Sequence, residues 1–232
     1  MAIPVVRQQT IRKMLLGLFA ITMAMSLACS LSIQHGHADV PVAASAEEIQ
    51  PLRPGKDAPR FTVETVDGKP FHFEPRDLER PVILIAYRGG WCPYCNTQLS
   101  ELRNVLPRIH DTGVEVLFLS GDRPGLLHSS LDPDTQADIA GLDYTILSDA
   151  KAGAAIALGI AFRASDETIQ RRRDKGQDID GSSMALQGVL PVPSVFAVDT
   201  EGVIRFAYSN ADYKVRLPAD ELLEVAENIA PR

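Results

Sequence analysis

The chain has 232 residues and a formal net charge of −7 at pH 7, with 30 Asp and Glu against 23 Lys and Arg. An acidic balance of this size argues against nucleic acid or an anionic membrane surface as a partner. The length remaining after an N-terminal targeting segment suits one domain, large enough to bury a sizeable core.

The N-terminal segment has the order of a secretory signal. A basic stretch at residues 7–13 precedes an apolar run that begins at Met14, and small residues follow down to Ala38. This order predicts a signal peptide over residues 1–38 and an exported protein, periplasmic or secreted. Its removal takes away three of the 23 basic residues and no acids, which leaves 20 against 30 and a charge of −10.

Two alternatives for this segment stay open. Residues 14–33 are long enough to span a bilayer as an uncleaved anchor, and Cys29 is a candidate for lipidation. After signal cleavage no integral membrane domain is expected. The Pro- and Ala-containing residues 39–56 predict a flexible leader, and the folded domain is expected over 57–232.

The rest of the chain alternates strand and helix patterns. Residues 60–73 predict a hairpin that turns at Asp67-Gly68, and the continuous apolar run at 81–87 predicts a strand buried on both faces. A helix is expected over 93–110. Further strands are predicted at 114–120, 144–147, 194–198 and 203–208, and further helices at 150–158 and 218–229.

These elements predict an α/β sandwich with a mixed central β-sheet, an N-terminal β-hairpin extension and helices on both faces. A polar insertion at 163–187 interrupts the pattern and contains Arg171-Arg172-Arg173. We interpret this arginine run as a solvated helix face, with a partner surface as the alternative.

The number and spacing of the cysteines indicate a chemical role for them. Because Cys29 lies in the predicted signal, Cys92 and Cys95 are the two cysteines of the mature chain. Two cysteines separated by two residues close a loop so short that a disulfide between them restricts the unfolded chain very little. A pair that contributes little stability is therefore predicted to be a redox-active dithiol, with an inert structural bridge as the alternative.

The dithiol is predicted at the start of a helix. Unpaired N–H groups and the positive end of the helix dipole stabilise a thiolate there. We expect Cys92 to be exposed, to have a lowered pKa and to attack, and Cys95 to be more buried and to resolve the intermediate. Trp91 and Tyr94 offer an apolar rim for substrate, and Arg88 offers positive charge near the thiolate. The alternatives are that Trp91 covers the core and that Arg88 is a solvated loop residue.

Metal binding is a further alternative to redox chemistry for this thiol pair. A structural zinc site needs four ligands, and His72, His110 and His128 lie far apart in the sequence. We therefore expect no resident metal and no cofactor. Copper(I) accepts two thiolates, so a copper(I) carrier remains an alternative function.

Several segments are shared with a known superfamily. Trp91-Cys92-Pro93-Tyr94-Cys95 after a buried strand resembles the thioredoxin superfamily, and its Cys-Pro-Tyr-Cys core resembles the glutaredoxin form. Residues 56–230 resemble the redoxin branch, the alkyl hydroperoxide reductase/thiol-specific antioxidant (peroxiredoxin-like) family. The matching segments are Ala58-Pro59-Arg60-Phe61, Tyr87 to Pro93, Leu147-Ser148-Asp149 and Val192-Pro193-Ser194.

The resemblance implies roles for further residues. It implies that Pro193 is cis, faces the dithiol and leaves a neighbouring backbone group free to pair with substrate. It also implies an antioxidant role in cell redox homeostasis, with peroxide as substrate and Cys92 as the peroxidatic residue. Cys95 would then be the resolving residue.

Three positions depart from the families' patterns. Gly89 stands where peroxiredoxins carry Thr or Ser, Pro193 stands near their activating Arg, and Ala86 replaces the buried Asp of thioredoxin. Arg88 and Arg216 are the candidates to replace the missing Arg. We therefore predict an exported thiol–disulfide oxidoreductase acting on protein thiols or disulfides or on a small thiol reductant, with a thiol peroxidase as the alternative.

Overall fold

The computed structural model describes residues 42–231, so the predicted signal peptide, the alternative anchor and Cys29 lie outside the described residues. Within 42–231, none of the helices has both the length and the apolar character needed to cross a membrane.

A seven-stranded mixed sheet forms the centre of the domain, and two further strands form a small sheet. The strands are β1 (Phe61–Glu64), β2 (Pro70–Phe73), β3 (Val82–Tyr87), β4 (Glu115–Ser120), β5 (Thr145–Ser148), β6 (Ala161–Arg163), β7 (Val189–Pro191), β8 (Ser194–Val198) and β9 (Ile204–Ser209). The order in the central sheet is β2-β1-β5-β4-β3-β8-β9. Its three middle strands β5, β4 and β3 are parallel, and the outer pairings are antiparallel. The separate pair, β6 and β7, is antiparallel.

Seven α-helices accompany the strands within the described residues, together with short 3-10 turns at Ala46–Glu48, Pro75–Asp77 and Pro124–Leu126. They are α1 (Pro93–Leu102), α2 (Leu106–Asp111), α3 (Pro133–Ile139), α4 (Gly153–Ala157), α5 (Asp166–Asp174), α6 (Ser183–Gln187) and α7 (Ala219–Ile229).

The sheet separates two apolar clusters, and β3 contributes to both because its side chains alternate. Ile83 and Ile85 pack with residues of α1, α2 and α7. Leu84 and Ala86 pack on the other face with residues of the first hairpin and α4. All six residues of β3 are buried. The predicted strand buried on both faces and the predicted α/β sandwich are confirmed.

The helix predicted over 93–110 is two helices, α1 and α2. Pro107 lies in the first turn of α2, and proline has no N–H to donate to the carbonyl four residues earlier. A continuous helix is therefore interrupted before Pro107, and a new one begins where proline is well tolerated. The strands β6 and β7 were not predicted, because each is only three residues long.

The segment preceding the first hairpin differs from the predicted flexible leader. The N–H of Gln50 donates to the carbonyl of Gly159 at 3.1 Å, and the N–H of Leu52 donates to the carbonyl of Leu158 at 3.1 Å. Leu52 also packs against the apolar cluster on the α4 side. Residues 42–56 are therefore held against the domain, because backbone pairing and apolar contacts offset the polar and proline-rich composition.

Candidate active site

The two thiols lie where the central strand β3 continues into α1. Cys92 caps the N-terminus of α1 in an extended conformation, and Pro93 takes the first helical position. The N–H of Cys95 donates to the carbonyl of Cys92 at 2.9 Å. The turn between β3 and Cys92 is short, and within it the N–H of Cys92 donates to the carbonyl of Gly89 at 3.2 Å. It places the dithiol at the carboxyl edge of the parallel strands, where open α/β sheets present their sites.

Both thiols are buried. The exposed fraction is 2% for Cys92 and 0% for Cys95, and both are free thiols. The expectation that Cys92 is exposed is wrong, because Cys92 packs in the apolar cluster that also contains Trp91. Near the dithiol lies an arginine–aromatic cover, which we define as Arg88, Arg172 and Tyr213. The guanidinium groups of Arg88 and Arg172 both lie against the ring of Tyr213.

The surroundings of the two sulfurs separate their pKa values. A hydrogen bond from the Cys95 thiol is the main reason that the pKa of Cys92 is lowered to about 6. The Cys95 N–H and the positive charges of Arg88 and Arg216 lower it further, against an opposing effect of burial. Burial and the neighbouring Cys92 raise the pKa of Cys95 well above its ordinary value. Near neutral pH Cys92 is therefore a thiolate and Cys95 a thiol.

Arg88 is 5% exposed, so the interpretation of Arg88 as a solvated loop residue is wrong. Its guanidinium carbon lies 4.2 Å from the centroid of the Tyr213 ring and 5.7 Å from that of Phe162. Its Nε is buried without a hydrogen-bond partner. Burial lowers the pKa of Arg88, whereas the two cysteines raise it. A guanidinium keeps its proton in proteins, so Arg88 supplies a buried positive charge beside the thiolate.

Arg216 approaches the dithiol from the segment before α7. Its Nε donates to Gln98 Oε1 at 3.0 Å, and its Nη2 donates to Cys95 Sγ at 3.8 Å. Arg88 and Arg216, which are 128 positions apart in the sequence, thus converge on the same pair of sulfurs. Both candidates for the missing family arginine are brought to the dithiol.

Trp91 and Tyr94 have different surroundings. Trp91 is 8% exposed and belongs to the apolar core, and its indole also forms one wall of a groove of about 300 Å³. Tyr94 is 41% exposed and meets the ring of Tyr213 edge to face, with centroids 5.5 Å apart. The structure thus places Trp91 mainly as a cover of the core and Tyr94 at the exposed rim of the site.

Pro193 lies at the same edge of the sheet, because its neighbour Ser194 pairs with Ala86 at the end of β3. The peptide bond before Pro193 is trans, since the described residues contain no cis peptide, and the expected cis bond is therefore wrong. The preceding residue is not free for substrate either. The N–H of Val192 donates to Ile160, at 2.9 Å, and its carbonyl accepts from Ser194 Oγ at 2.8 Å.

Asp122 supports the turn before the dithiol and was not predicted from the sequence. Its carboxylate accepts hydrogen bonds from the Gly90 N–H at 2.7 Å and from Ser130 Oγ at 2.9 Å. Burial raises the pKa of Asp122 to about 6 despite these bonds. Its position just after β4, the parallel neighbour of β3, was the available signal, since the carboxyl ends of adjacent parallel strands meet.

Asn96 was also missed. This buried amide donates from Nδ2 to the carbonyl of Gly90 at 2.6 Å and accepts at Oδ1 from the N–H of Asp132 at 2.9 Å. It therefore joins the first turn of α1 to the turn before the dithiol and to the start of α3. This role could not be predicted, because a single Asn in an amphipathic helix is not part of any recognisable sequence pattern.

A buried dithiol at the start of the helix that follows a central strand, in a mixed α/β sandwich, defines a protein with a thioredoxin-like fold and a Cys-X-X-Cys centre. Residues 54–207 match the model of the AhpC/TSA family, and the chain belongs to that family. The predicted redoxin resemblance and the predicted fold class are confirmed.

Individual relatives agree with this assignment. The thiol-disulfide oxidoreductase ResA of Bacillus thuringiensis (strain Al Hakam) is 27% identical over 150 residues, which cover 65% of this chain and 66% of that protein. The chain thus spans just under two thirds of this relative's length. The chloroplastic peroxiredoxin Q of Populus jackii is 25% identical over 175 residues, covering 75% and 68%. The structure of peroxidoxin BcpB from Mycobacterium tuberculosis aligns with a TM-score of 0.53 and 19% identity, covering 77% and 98%.

Proposed function

We propose that this protein is an exported thiol–disulfide oxidoreductase that cycles between a Cys92–Cys95 dithiol and a disulfide. The observation that carries the proposal is the division of the pair into a stabilised thiolate at Cys92 and a buried thiol at Cys95. The thiolate is the nucleophile in disulfide exchange. The resemblance of the chain to a thiol-disulfide oxidoreductase supports the same reaction.

The reaction has two steps. The Cys92 thiolate attacks one sulfur of a substrate disulfide, which forms a mixed disulfide and releases the other sulfur as a thiolate. Cys95 then loses its proton and attacks the Cys92 sulfur, which closes the Cys92–Cys95 disulfide and releases the second substrate thiol. Two electrons pass to the substrate, and the reverse sequence oxidises thiols. Export is supported by the signal-like order of residues 1–38.

The Cys95→Ser variant is expected to accumulate mixed disulfides through Cys92, because the resolving thiol is absent and exchange stops after its first step. Non-reducing electrophoresis with peptide mapping after incubation with a disulfide-bonded protein measures this product. The Cys92→Ser variant is the matched control and is expected to accumulate none. Mixed disulfides that map to neither position would contradict the proposal.

A second candidate function is peroxide reduction, and the convergence of Arg88 and Arg216 on the dithiol favours it. The Cys92 thiolate would attack one peroxide oxygen, which breaks the O–O bond, releases an alcohol or water and forms a sulfenic acid. The Cys95 thiol would then condense with the sulfenic acid, forming the disulfide and a second water. The two arginines supply positive charge where the leaving oxygen becomes negative.

Stopped-flow measurement with hydrogen peroxide tests this second function. We expect the reduced protein to react faster, per thiolate, than free cysteine at the same pH, because free cysteine has no fixed cations beside the leaving oxygen. The Cys92→Ser variant should lose the fast phase. A rate per thiolate that does not exceed that of free cysteine would remove peroxide from consideration and leave disulfide exchange intact.

A further inference from the structure

Three arginines near the dithiol have no carboxylate partner. Among residues 42–231, Arg88, Arg172 and Arg216 form no ion pair, although the chain is acidic overall. Five arginines of the same domain pair with carboxylates, namely Arg60, Arg76, Arg103, Arg173 and Arg205. The other described arginines without an ion pair are exposed, namely Arg53, Arg80, Arg108, Arg123, Arg163 and Arg171, whereas the three near the dithiol are buried or partly buried. Cations that are withdrawn from solvent without a carboxylate partner indicate that an anion is to be bound there.

The charges of two of these arginines are used by the dithiol itself. Arg88 and Arg216 stabilise the Cys92 thiolate, so their counter-ion is already in the protein. Arg172 differs, because it comes from α5 and is less buried than Arg88. Its guanidinium carbon is 5.6 Å from the centroid of the Trp91 ring and 5.8 Å from that of Tyr213.

The polar atoms of Arg172 are poorly satisfied. Its Nε is buried with no hydrogen-bond partner, and its Nη1 makes one long hydrogen bond of 3.4 Å to Gln177 Oε1. Its charge also opposes that of Arg88. An anion at the Nη atoms of Arg172 would therefore give a poorly satisfied guanidinium a partner and reduce the repulsion between two like charges.

The groove beside Trp91 limits what this anion can be. Asp132 and Asp178 both line the groove, so a ligand with many negative charges would be repelled along that wall. Arg172 is not among the residues that line this groove, so a single carboxylate bound at Arg172 is not held against the acidic wall. The planar guanidinium matches a carboxylate with two parallel donors.

We propose that Arg172 binds the carboxylate of a small thiol or disulfide substrate and thereby directs the substrate's sulfur to Cys92. The inference rests on the proposed disulfide exchange and adds the substrate class. The chemistry is unchanged. The Cys92–S bond to the substrate forms as the substrate S–S bond breaks, the departing thiolate takes a proton from water, and Cys95 completes the exchange. One substrate disulfide becomes two thiols, and the protein dithiol becomes a disulfide.

The test compares three small disulfides with the reduced 232-residue chain. Dithiodipropionate carries carboxylates, hydroxyethyl disulfide is neutral and cystamine carries ammonium groups. Each rate of Cys92 oxidation is divided by the rate of the same disulfide with free cysteine, which removes intrinsic differences in reactivity. We expect the normalised rate of dithiodipropionate to exceed that of hydroxyethyl disulfide roughly tenfold and cystamine to be the slowest.

Variants in α5 test whether Arg172 causes the preference for the disulfide that carries carboxylates. Arg172→Gln is expected to bring the normalised ratio of dithiodipropionate to hydroxyethyl disulfide close to one. Arg172→Lys, which keeps the charge but loses the planar fork, should retain part of the ratio. Arg171→Gln is the matched control, because Arg171 is the exposed neighbour on the same helix and bonds only to Thr168. It should leave the ratio unchanged.

The outcomes separate the two proposals. A wild-type ratio of one or less, or an Arg172→Gln ratio equal to that of the wild type, overturns the role of Arg172 while exchange with hydroxyethyl disulfide still supports the proposed function. If Arg172→Gln does not fold, the wild-type ratio and the Arg172→Lys ratio decide in the same way. If none of the three disulfides oxidises Cys92, the proposed function fails and the substrate class fails with it.

Discussion

At pH 7 the thiol of Cys92 is expected to react with iodoacetamide about a hundredfold faster than the thiol of Cys95. With a pKa of about 6, roughly nine tenths of Cys92 is thiolate at this pH. Burial and the neighbouring Cys92 raise the pKa of Cys95 well above its ordinary value, so nearly all of it is protonated. Cys95 is also the more buried of the two, which acts in the same direction. Mass-spectrometric mapping of alkylation in the native reduced protein measures it.

The pH profile of this reactivity tests its electrostatic cause. Cys92 labelling should be half-maximal near pH 6 and should fall as the pH is lowered further, because the thiolate is lost. Arg88→Met should move the half-point upward, since one of the charges that lower the pKa is removed, whereas Arg88→Lys should restore part of the shift. Arg60→Met, whose native partner is Glu74 in the first hairpin, is the control. An unchanged half-point in Arg88→Met would show that this charge does not act on Cys92.

The difference between the pKa values of Cys92 and Cys95 also determines how the reduction potential depends on pH. Below about pH 6, reduction of the disulfide takes up two protons and two electrons, and the potential should fall by about 59 mV per pH unit. Between about pH 6 and 9, Cys92 stays a thiolate and only Cys95 takes up a proton. The slope should then be about 30 mV per pH unit. Because the thiolate is stabilised only in the reduced form, this also makes the disulfide a stronger oxidant at neutral pH.

Elements with a strong local pattern were predictable from the sequence. The run at 81–87 is apolar without interruption, and β3 is buried on both faces. The closing helix predicted at 218–229 is found as α7, because its apolar residues recur at helical spacing and face the core. The start of α1 at Pro93 was predictable for the same local reason, since proline favours the first helical position.

Features that depend on distant residues were not predictable. Arg216 reaches Cys95 from 121 positions away, and Tyr213 lies over Arg88 from 125 positions away. Without the order of the sheet, neither pairing follows from composition or spacing. The interpretation of Arg88 as a solvated residue failed for this reason, because its partner Tyr213 comes from the segment before α7. The expected cis bond at Pro193 rested on a resemblance, which carries no information on the hydrogen bonds that Val192 makes with Ile160 and Ser194.

The close packing around Gly90 predicts that a side chain at this position destabilises the fold. A Cβ added at Gly90 would lie 2.2 Å from Ser130 Oγ, 2.5 Å from the carbonyl carbon of Ser130 and 2.6 Å from the nitrogen of Leu131. Two of these atoms belong to the backbone, so a change of side-chain rotamer cannot remove the clash. Gly90 is not among the residues with a left-handed backbone. Glycine is therefore required at this position because the neighbouring backbone lies too close for any side chain, and not because of the backbone conformation.

Gly90→Ala is expected to lower the free energy of unfolding by about 2 to 3 kcal/mol, the usual cost of forcing extra atoms into a packed region. Urea denaturation of the reduced protein measures this change. Gly125→Ala is the matched control, because Gly125 is exposed and its added Cβ would come no closer than 3.4 Å to the end of the Arg123 side chain. The control should change stability by less than about 0.5 kcal/mol.

The same substitution should also lower the reactivity of Cys92, since Gly90 is held on both sides by groups that position the dithiol. Its N–H donates to Asp122, and its carbonyl accepts from Asn96 in the first turn of α1. To accommodate a methyl group, the backbone of Gly90 has to move away from Ser130, which lengthens these bonds and shifts Cys92 relative to the helix start. Slower alkylation of Cys92 in the folded Gly90→Ala protein is therefore expected. Wild-type stability and labelling in this variant would show that the turn before the dithiol adapts without cost.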